Sequence, residues 1–133
     1  MSVQTFPYLA QPLRVGSLEL RNRIVFAAHL TNFAEDGAPS PRHAAYYAAR
    51  AAGGAGLVVT EEFTVVPGDH PYERSIAGWS PRVDAGSRRL TDAVHAAGAP
   101  VLARLNHNGG QASGLYSQQA VNAPSAIADP MFR

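Results

Sequence analysis

Residues 40–61, SPRHAAYYAARAAGGAGLVVTE, decide the fold, because a helical pattern passes directly into a strand pattern. Ser40 is a favourable N-cap, and Pro41 at the first helical position loses no hydrogen bond that the helix needs. The alanine-rich run predicts a helix that Gly53-Gly54 ends. Residues 56–60 are apolar without alternation, which is typical of a parallel strand covered on both faces.

Similar patterns lie on both sides of this stretch. Upstream, residues 13–21 predict a small hairpin, and residues 23–28 predict a strand. Downstream, Ser80-Pro81 repeats the helix-opening pair, and Gly98 is predicted to end that second helix. The second helix is followed by a third predicted strand, residues 101–105, and then by a long polar loop. Four apolar residues share one face of the second helix: Val83, Leu90, Val94 and Ala97.

The order hairpin, β, α, β, α, β, loop predicts an α/β fold with a parallel sheet. An open doubly wound sheet and part of a closed barrel both have this order. The glycine-rich fingerprint of a dinucleotide site is missing after the first strand, where the chain reads AAHLTN at residues 27–32. Small and polar residues follow all three strands instead, which favours the ligand face of a (βα)8 TIM barrel. The pattern therefore favours part of such a barrel, a hairpin followed by about three βα units.

Composition narrows the function classes. The chain has 133 residues and a net charge of +1, so nothing indicates a nucleic-acid or membrane-surface partner. It has no cysteine, which excludes a disulfide framework, a thiolate metal site and a cysteine nucleophile. No signal peptide or membrane-spanning run is visible, and we expect a cytoplasmic protein.

Several motifs are similar to those of the old yellow enzyme family of NADH:flavin oxidoreductases. The similarity extends in order over essentially the whole chain, with its nearest branch resembling 2,4-dienoyl-CoA reductases and, less closely, mycofactocin-associated members. The motifs are LRNRIV at residues 20–25, YYAARAAGGAGLVVTE at 46–61, LTDAVH at 90–95, LNHNG at 105–109, APS at 123–125 and DPMFR at 129–133.

This resemblance implies that residues 1–133 are the N-terminal part of an FMN-binding (βα)8 TIM barrel domain, which is incomplete here. FMN would lie at the C-terminal face of the barrel, and NAD(P)H would be the reductant. Hydride would pass to an activated C=C bond of an unsaturated carbonyl or thioester. Longer relatives carry an iron–sulfur cluster and FAD. The positions that would contact FMN are Ala27, Ala28, His29 and Leu30, mostly through backbone, together with Glu62 and Arg104.

Three positions depart from the family pattern, namely His29 for a usual Met, Arg104 for a usual Gln and Gly110 for a usual Arg. An unpaired buried guanidinium would be very costly, so Arg104 needs a partner. It either faces the flavin pyrimidine edge and raises the flavin potential, or pairs with Glu61 or Glu62. His29 is expected to contact the flavin without donating a proton.

Two other functions stay open from the sequence. His29, Glu61, Glu62 and His107 follow strands and would be the ligands of a metal ion in a metal-dependent hydrolase barrel. Alternatively, the chain is a non-catalytic truncated or split-gene product, because a barrel typically takes about 250 residues. The family's substrate-activating pair, His with His or Asn, and its proton-donating Tyr lie beyond these residues, so we assign no catalytic residue and expect the chain to be inactive alone. Its open strand edges predict self-association or a C-terminal half-barrel partner.

Overall fold

The computed structural model describes residues 6–112 and 114–127, so the motif at residues 129–133 lies outside the described residues. The elements begin with an antiparallel hairpin, β1 (Leu13–Val15) and β2 (Leu18–Leu20). The remaining elements in chain order are β3 (Val25–Phe26), α1 (Pro41–Ala52), β4 (Leu57–Thr64), β5 (Ile76–Ala77), α2 (Val83–Ala96), β6 (Val101–Asn106) and a 3-10 turn (Gly109–Gln111).

The central sheet is parallel, as predicted, with β4 at its centre. Strand β6 pairs with β4 along one edge, from Val58 to Thr64. On the other edge, β3 pairs with the start of β4 and β5 pairs with its end. Within residues 6–112 and 114–127, β3 and β6 have no second partner strand, so two strand edges are open.

The main core lies between the two helices and the sheet. Tyr47 and Ala51 of α1 and Leu90 and Val94 of α2 are buried there against Val58 of β4. Three residues of the predicted apolar face of α2, Leu90, Val94 and Ala97, therefore pack in this core, whereas Val83 packs against a second, smaller cluster. Neither helix in the described part of the chain is long and apolar enough to cross a membrane.

The hairpin is fastened to the end of α1 by two polar side chains. Arg21 donates to the carbonyl oxygens of Ala51 and Ala55, the latter at 2.9 Å, and Asn22 donates to Gly54 O at 2.8 Å. Ala51 lies in the last turn of α1, where its carbonyl oxygen also accepts the Gly54 N–H at 3.0 Å, and Gly54 and Ala55 follow the helix. A cation near these carbonyls suits the helix dipole. The hairpin thus closes the N-terminal side of the sheet, opposite the predicted ligand face.

The structure corrects several predicted boundaries. The first parallel strand is only Val25–Phe26, whereas β4 continues through both glutamates to Thr64, and the short β5 was not predicted. Ser80-Pro81 does not open α2; it forms a turn in which Val83 N–H donates to Ser80 O at 3.2 Å. The loop after β6 contains a 3-10 turn.

Candidate functional site

The candidate site lies at the C-terminal edge of the parallel strands. All six positions expected to contact a cofactor are here: residues 27–30 follow β3, Glu62 lies near the end of β4, and Arg104 lies near the end of β6. Glu62 and Arg104 are register partners, so their side chains project from the same face of the sheet. The structure brings these two side chains together.

A β-bulge decides which of the two adjacent glutamates faces the helices and which faces Arg104. Val59 pairs with Leu102 and Glu62 pairs with Arg104, so β4 advances three residues while β6 advances two. An extra residue in one strand reverses the facing of every side chain after it. As a result, Glu61 meets helix α1 and Glu62 meets β6.

Glu62 is buried, 7% exposed, and only partly satisfied. Its Oε2 lies 3.4 Å from Nη2 of Arg104, whose Nη2 also donates to Asn106 Oδ1 at 2.8 Å. Oε1 of Glu62 and Nδ2 of Asn106 are buried without a partner among the described residues. The pairing of Arg104 with Glu62 is confirmed, but the Arg104 side chain is 41% exposed, so its expected burial is wrong.

Burial raises the pKa of Glu62 above its usual range, although the Arg104 guanidinium opposes that rise. Nearby Asp69 and Glu61 add to it. The ionised carboxylate is therefore disfavoured in the folded chain, and a positively polarised group arriving at Oε1 would relieve it.

Glu62→Gln is expected to stabilise the chain by about 1 kcal/mol at about pH 7, because it replaces a buried, half-partnered charge with a neutral group. A carboxyl with a raised folded pKa lowers stability while it is ionised. That cost disappears as the pH falls through the folded pKa towards 4.5, the usual value. Urea denaturation from about pH 7 downwards should show the advantage of the variant shrinking.

The matched control is Glu19→Gln on the exposed hairpin, which should change stability little at either pH. An advantage of Glu62→Gln that stayed constant with pH would contradict the assignment of the cost to the Glu62 charge.

The loop after β3 presents backbone at this edge while its histidine turns towards the helix layer. Ala27, His29 and Leu30 are exposed and Ala28 is half-buried. Nε2 of His29 shares a 2.6 Å hydrogen bond with the Tyr46 hydroxyl of α1, and its ring meets Phe26 edge-on. The His29 side chain is thus held against α1, and contact of residues 27–30 with a cofactor stays a prediction.

Sequence reasoning missed two sets of residues that fix the loops around the site. His43 of α1, which is fully buried, bonds Glu61, and the Glu61 carboxylate also accepts the backbone N–H of Thr31. Separately, buried Asp69 accepts Asn108 N–H at 2.7 Å and Asn108 Nδ2 at 2.9 Å, which ties the loop after β4 to the loop after β6. His43 lies one helical turn before buried Tyr47, and this spacing was the available signal.

The metal-site interpretation of His29, Glu61, Glu62 and His107 is wrong. Glu61 is engaged by His43 and His29 by Tyr46, so the four side chains do not converge. Within residues 6–112 and 114–127, no three His, Asp or Glu side chains are arranged to hold a metal ion.

A cleft of about 870 Å³ opens beside the site, between the turn at residues 35–38 and the segment after β4. Thr64, Asp69, Arg74 and Trp79 are among its lining residues. None of the six expected cofactor contacts lines it, so the cleft is a neighbouring feature and not the predicted cofactor position.

Comparison with known proteins gives a consistent family match. The model of the NADH:flavin oxidoreductase / NADH oxidase family matches residues 8–131. The NADH oxidase of Thermoanaerobacter brockii is 39% identical over 92% of this chain and 19% of its own length. The 4,4'-dithiodibutanoate disulfide reductase of Rhodococcus erythropolis is 36% identical over 98% of this chain and 32% of its own.

Solved structures agree with the sequence matches. Morphinone reductase in complex with tetrahydroNAD superposes with a TM-score of 0.83 at 32% identity, over 91% of this chain and 33% of that chain. The old yellow enzyme homologue from Zymomonas mobilis superposes with a TM-score of 0.82 at 33% identity, over 91% of this chain and 34% of that chain. The chain therefore spans about a third or less of the length of these relatives.

Proposed function

The chain belongs to the NADH:flavin oxidoreductase / NADH oxidase family, and on this premise we propose that it forms the part of an oxidoreductase barrel that holds the FMN ring. The fold is the N-terminal part of an old yellow enzyme barrel, since the solved relatives are such barrels and the chain covers about a third of them. Use of NAD(P)H as hydride donor and reduction of an unsaturated carbonyl or thioester are proposals for the whole protein.

The observation that carries this proposal is the pair of buried atoms without partners, Glu62 Oε1 and Asn106 Nδ2. Buried polar atoms are normally hydrogen-bonded, so an open acceptor and an open donor on two residues that both contact Arg104 favour a ligand with both functions. The pyrimidine edge of a flavin offers this combination, an imide N–H between two carbonyl oxygens. Glu62 Oε1 would accept the N–H, and Asn106 Nδ2 would donate to a carbonyl. The residues present therefore fit the group.

The chain's own residues would bind the ring and adjust its electronics. Bound FMN would accept hydride from reduced nicotinamide and deliver it to an electron-poor acceptor. The positive charge of Arg104 favours negative charge on the neighbouring edge of the ring and so raises the flavin potential. The backbone of residues 27–30 would support the ring from the loop after β3.

The test is a titration of FMN fluorescence with the purified 133-residue chain, comparing wild type with Arg104→Gln. Quenching by wild type is expected, and Arg104→Gln should weaken binding about tenfold, because hydrogen bonds from a charged donor contribute about 1.5–3 kcal/mol. The potential of the bound flavin should also fall, by about 30 mV for each 1.4 kcal/mol by which the reduced form loses more interaction than the oxidised form.

Arg89→Gln, which removes an exposed arginine of α2, is the matched control and should leave both quantities unchanged. A wild-type chain that does not quench FMN would contradict binding by this chain alone. Quenching with an unaltered potential in Arg104→Gln would remove Arg104 from the ring's electronic environment.

The alternative of a non-catalytic fragment is favoured by a different observation, the two open strand edges. Leu102 and Leu105 on β6 are 51% and 72% exposed, and Val25 on β3 is 47% exposed. A barrel of this class has eight parallel strands. In the described part of the chain the parallel sheet is three strands wide, because β3 and β5 pair with different parts of one edge of β4 while β6 pairs with the other edge. Two copies would supply only six, so a C-terminal half-barrel completes the fold better than self-association. If FMN binds only when such a half is added, the fragment interpretation holds.

A further inference from the structure

Glu61 is a buried carboxylate that joins three segments of the chain. It is among the least exposed of the described residues, at 1%. Oε1 bonds Nε2 of His43, and Oε2 accepts the backbone N–H groups of Thr31 and Asn32, the latter at 3.3 Å. Burial alone would raise the pKa of Glu61, but the hydrogen bonds from His43 and Thr31 outweigh burial and lower it. The carboxylate is therefore ionised, and one of its oxygens bonds His43 while the other bonds the loop.

The proton on His43 is fixed by the start of helix α1. Nδ1 of His43 accepts the Ser40 N–H at 3.0 Å, as the third helical residue does in a capping box. Nδ1 must then carry a lone pair, and the ring proton lies on Nε2, where it is donated to Glu61. The His43 ring stacks on the Tyr47 ring, with 6.2 Å between the ring centroids and 10° between the ring planes. This packing fixes the plane of the His43 ring.

The Thr31 and Asn32 amides end the loop whose backbone is expected to support the flavin. At the other end of this loop, Phe26 is held in register with Val58. Asn32 adopts a left-handed backbone conformation, φ 57°, and its Oδ1 accepts Arg74 N–H at 2.9 Å. Such a conformation persists only where surrounding contacts specify it. Residues 27–30 therefore span two fixed points, one set by strand pairing and the other by Glu61.

We propose that His43 and Glu61 are positioning residues for the flavin-supporting loop, acting through the Thr31 and Asn32 amides without touching the cofactor. The inference rests on the proposed function for the identity of the ligand. The chain of contacts runs from the Ser40 N–H through the His43 ring and the Glu61 carboxylate to the loop backbone.

The decisive variant is Glu61→Gln, because the amide cannot satisfy both ends of the chain of contacts. If the nitrogen of the introduced amide faces the loop, it opposes the Thr31 and Asn32 N–H groups. If the nitrogen faces His43 instead, two donors meet there. If the ring changes tautomer to accept it, Nδ1–H then opposes the Ser40 N–H. Amide hydrogen exchange of Thr31 and Asn32 is expected to accelerate at least about tenfold, and the FMN dissociation constant to rise about tenfold. Glu61→Asp keeps the charge with a shorter reach and serves if Glu61→Gln does not fold; both effects should be smaller.

His43→Gln provides the rescue arm, since Gln commonly fills the third position of a capping box and still carries an N–H donor. It should retain more protection of the Thr31 and Asn32 amides than His43→Ala. Glu19→Gln and His95→Ala, at exposed positions, are the matched controls and should alter neither readout.

The exchange measurement needs no ligand, so it tests the positioning role of Glu61 independently of FMN binding. Unchanged exchange of the Thr31 and Asn32 amides in Glu61→Gln and Glu61→Asp would overturn the positioning role, whether or not FMN binds. Accelerated exchange with an unchanged dissociation constant would overturn its link to the flavin. A wild-type chain that binds no FMN would count against the proposed function, and exchange alone would then decide whether Glu61 holds the loop.

Discussion

Tyr47→Ala is expected to lower the free energy of unfolding by about 3–5 kcal/mol, the usual loss when a large buried aromatic side chain is removed. Tyr47 is fully buried at the centre of the core between α1, α2 and β4. Its hydroxyl accepts the backbone N–H of Glu61 at 2.7 Å, and its ring stacks on His43. Burial also raises the pKa of its hydroxyl far above the usual range, so the neutral phenol is retained. Since small domains have about 5–15 kcal/mol in total, this loss is severe.

Two further variants separate the contribution of the buried ring from that of its hydroxyl group and from the effect of removing an exposed tyrosine. Tyr47→Phe removes only the hydroxyl that Glu61 N–H uses, so the loss should be about 1–3 kcal/mol. Tyr8→Ala, at a tyrosine that is 74% exposed, should cost little. Urea denaturation followed by circular dichroism gives all three values. Equal losses for Tyr8→Ala and Tyr47→Ala would show that the core is not where the structure places it.

Gly86→Ala is expected to destabilise the chain by about 1–2 kcal/mol, although alanine is the better helix former. A Cβ at Gly86 of α2 would lie 2.4 Å from Pro39 O and 3.0 Å from Pro39 Cδ, in the segment that leads into α1. Alanine gains about 1 kcal/mol of helix propensity over glycine. Overpacking against backbone costs about 1–3 kcal/mol, and the contact here is closer than real Cβ atoms show, so the packing loss should prevail.

The control is Gly110→Ala, where a Cβ would meet nothing closer than Ala123 Cβ at 3.9 Å. It should be near neutral in the same urea titrations. A Gly86→Ala chain more stable than wild type would mean that α2 can move away from Pro39, and that the two helices are less closely constrained than their packing indicates.

Much of the fold was predictable because local signals and tertiary packing agree. Ser40-Pro41, the alanine-rich run and Gly53-Gly54 mark α1 at the residues where the structure has it. Ser80-Pro81 carries the same signal, but tertiary contacts use it as a turn, and α2 begins at Val83. Strand β5 has two residues and depends on pairing with the end of β4, so no periodicity could reveal it.

The sequence indicated which residues lie at this edge of the sheet, but not which of them bond to one another. The sequence left open whether Arg104 faces a flavin or pairs with Glu61 or Glu62. The structure shows a 3.4 Å contact with Glu62, although the Arg104 side chain is 41% exposed and not buried as expected from the cost of an unpaired cation. The division of labour between Glu61 and Glu62 could not be foreseen, because it depends on a bulge with no sequence signature here. His43 lies on the buried face of α1, but its partner is 18 residues away and only the fold brings the two together.

The bulge in β4 also bears on how this surface can change over time. The two neighbouring glutamates have different surroundings: Glu61 bonds the backbone of the loop after β3, whereas Glu62 has an oxygen without a partner among the described residues. Because neighbouring residues of a strand face opposite sides, a substitution at Glu62 leaves the bonds of Glu61 intact. Deletion of Thr60 would remove the bulge and exchange the surroundings of the two carboxylates. The bulge therefore decides which of the two glutamates supports the loop and which faces the open edge.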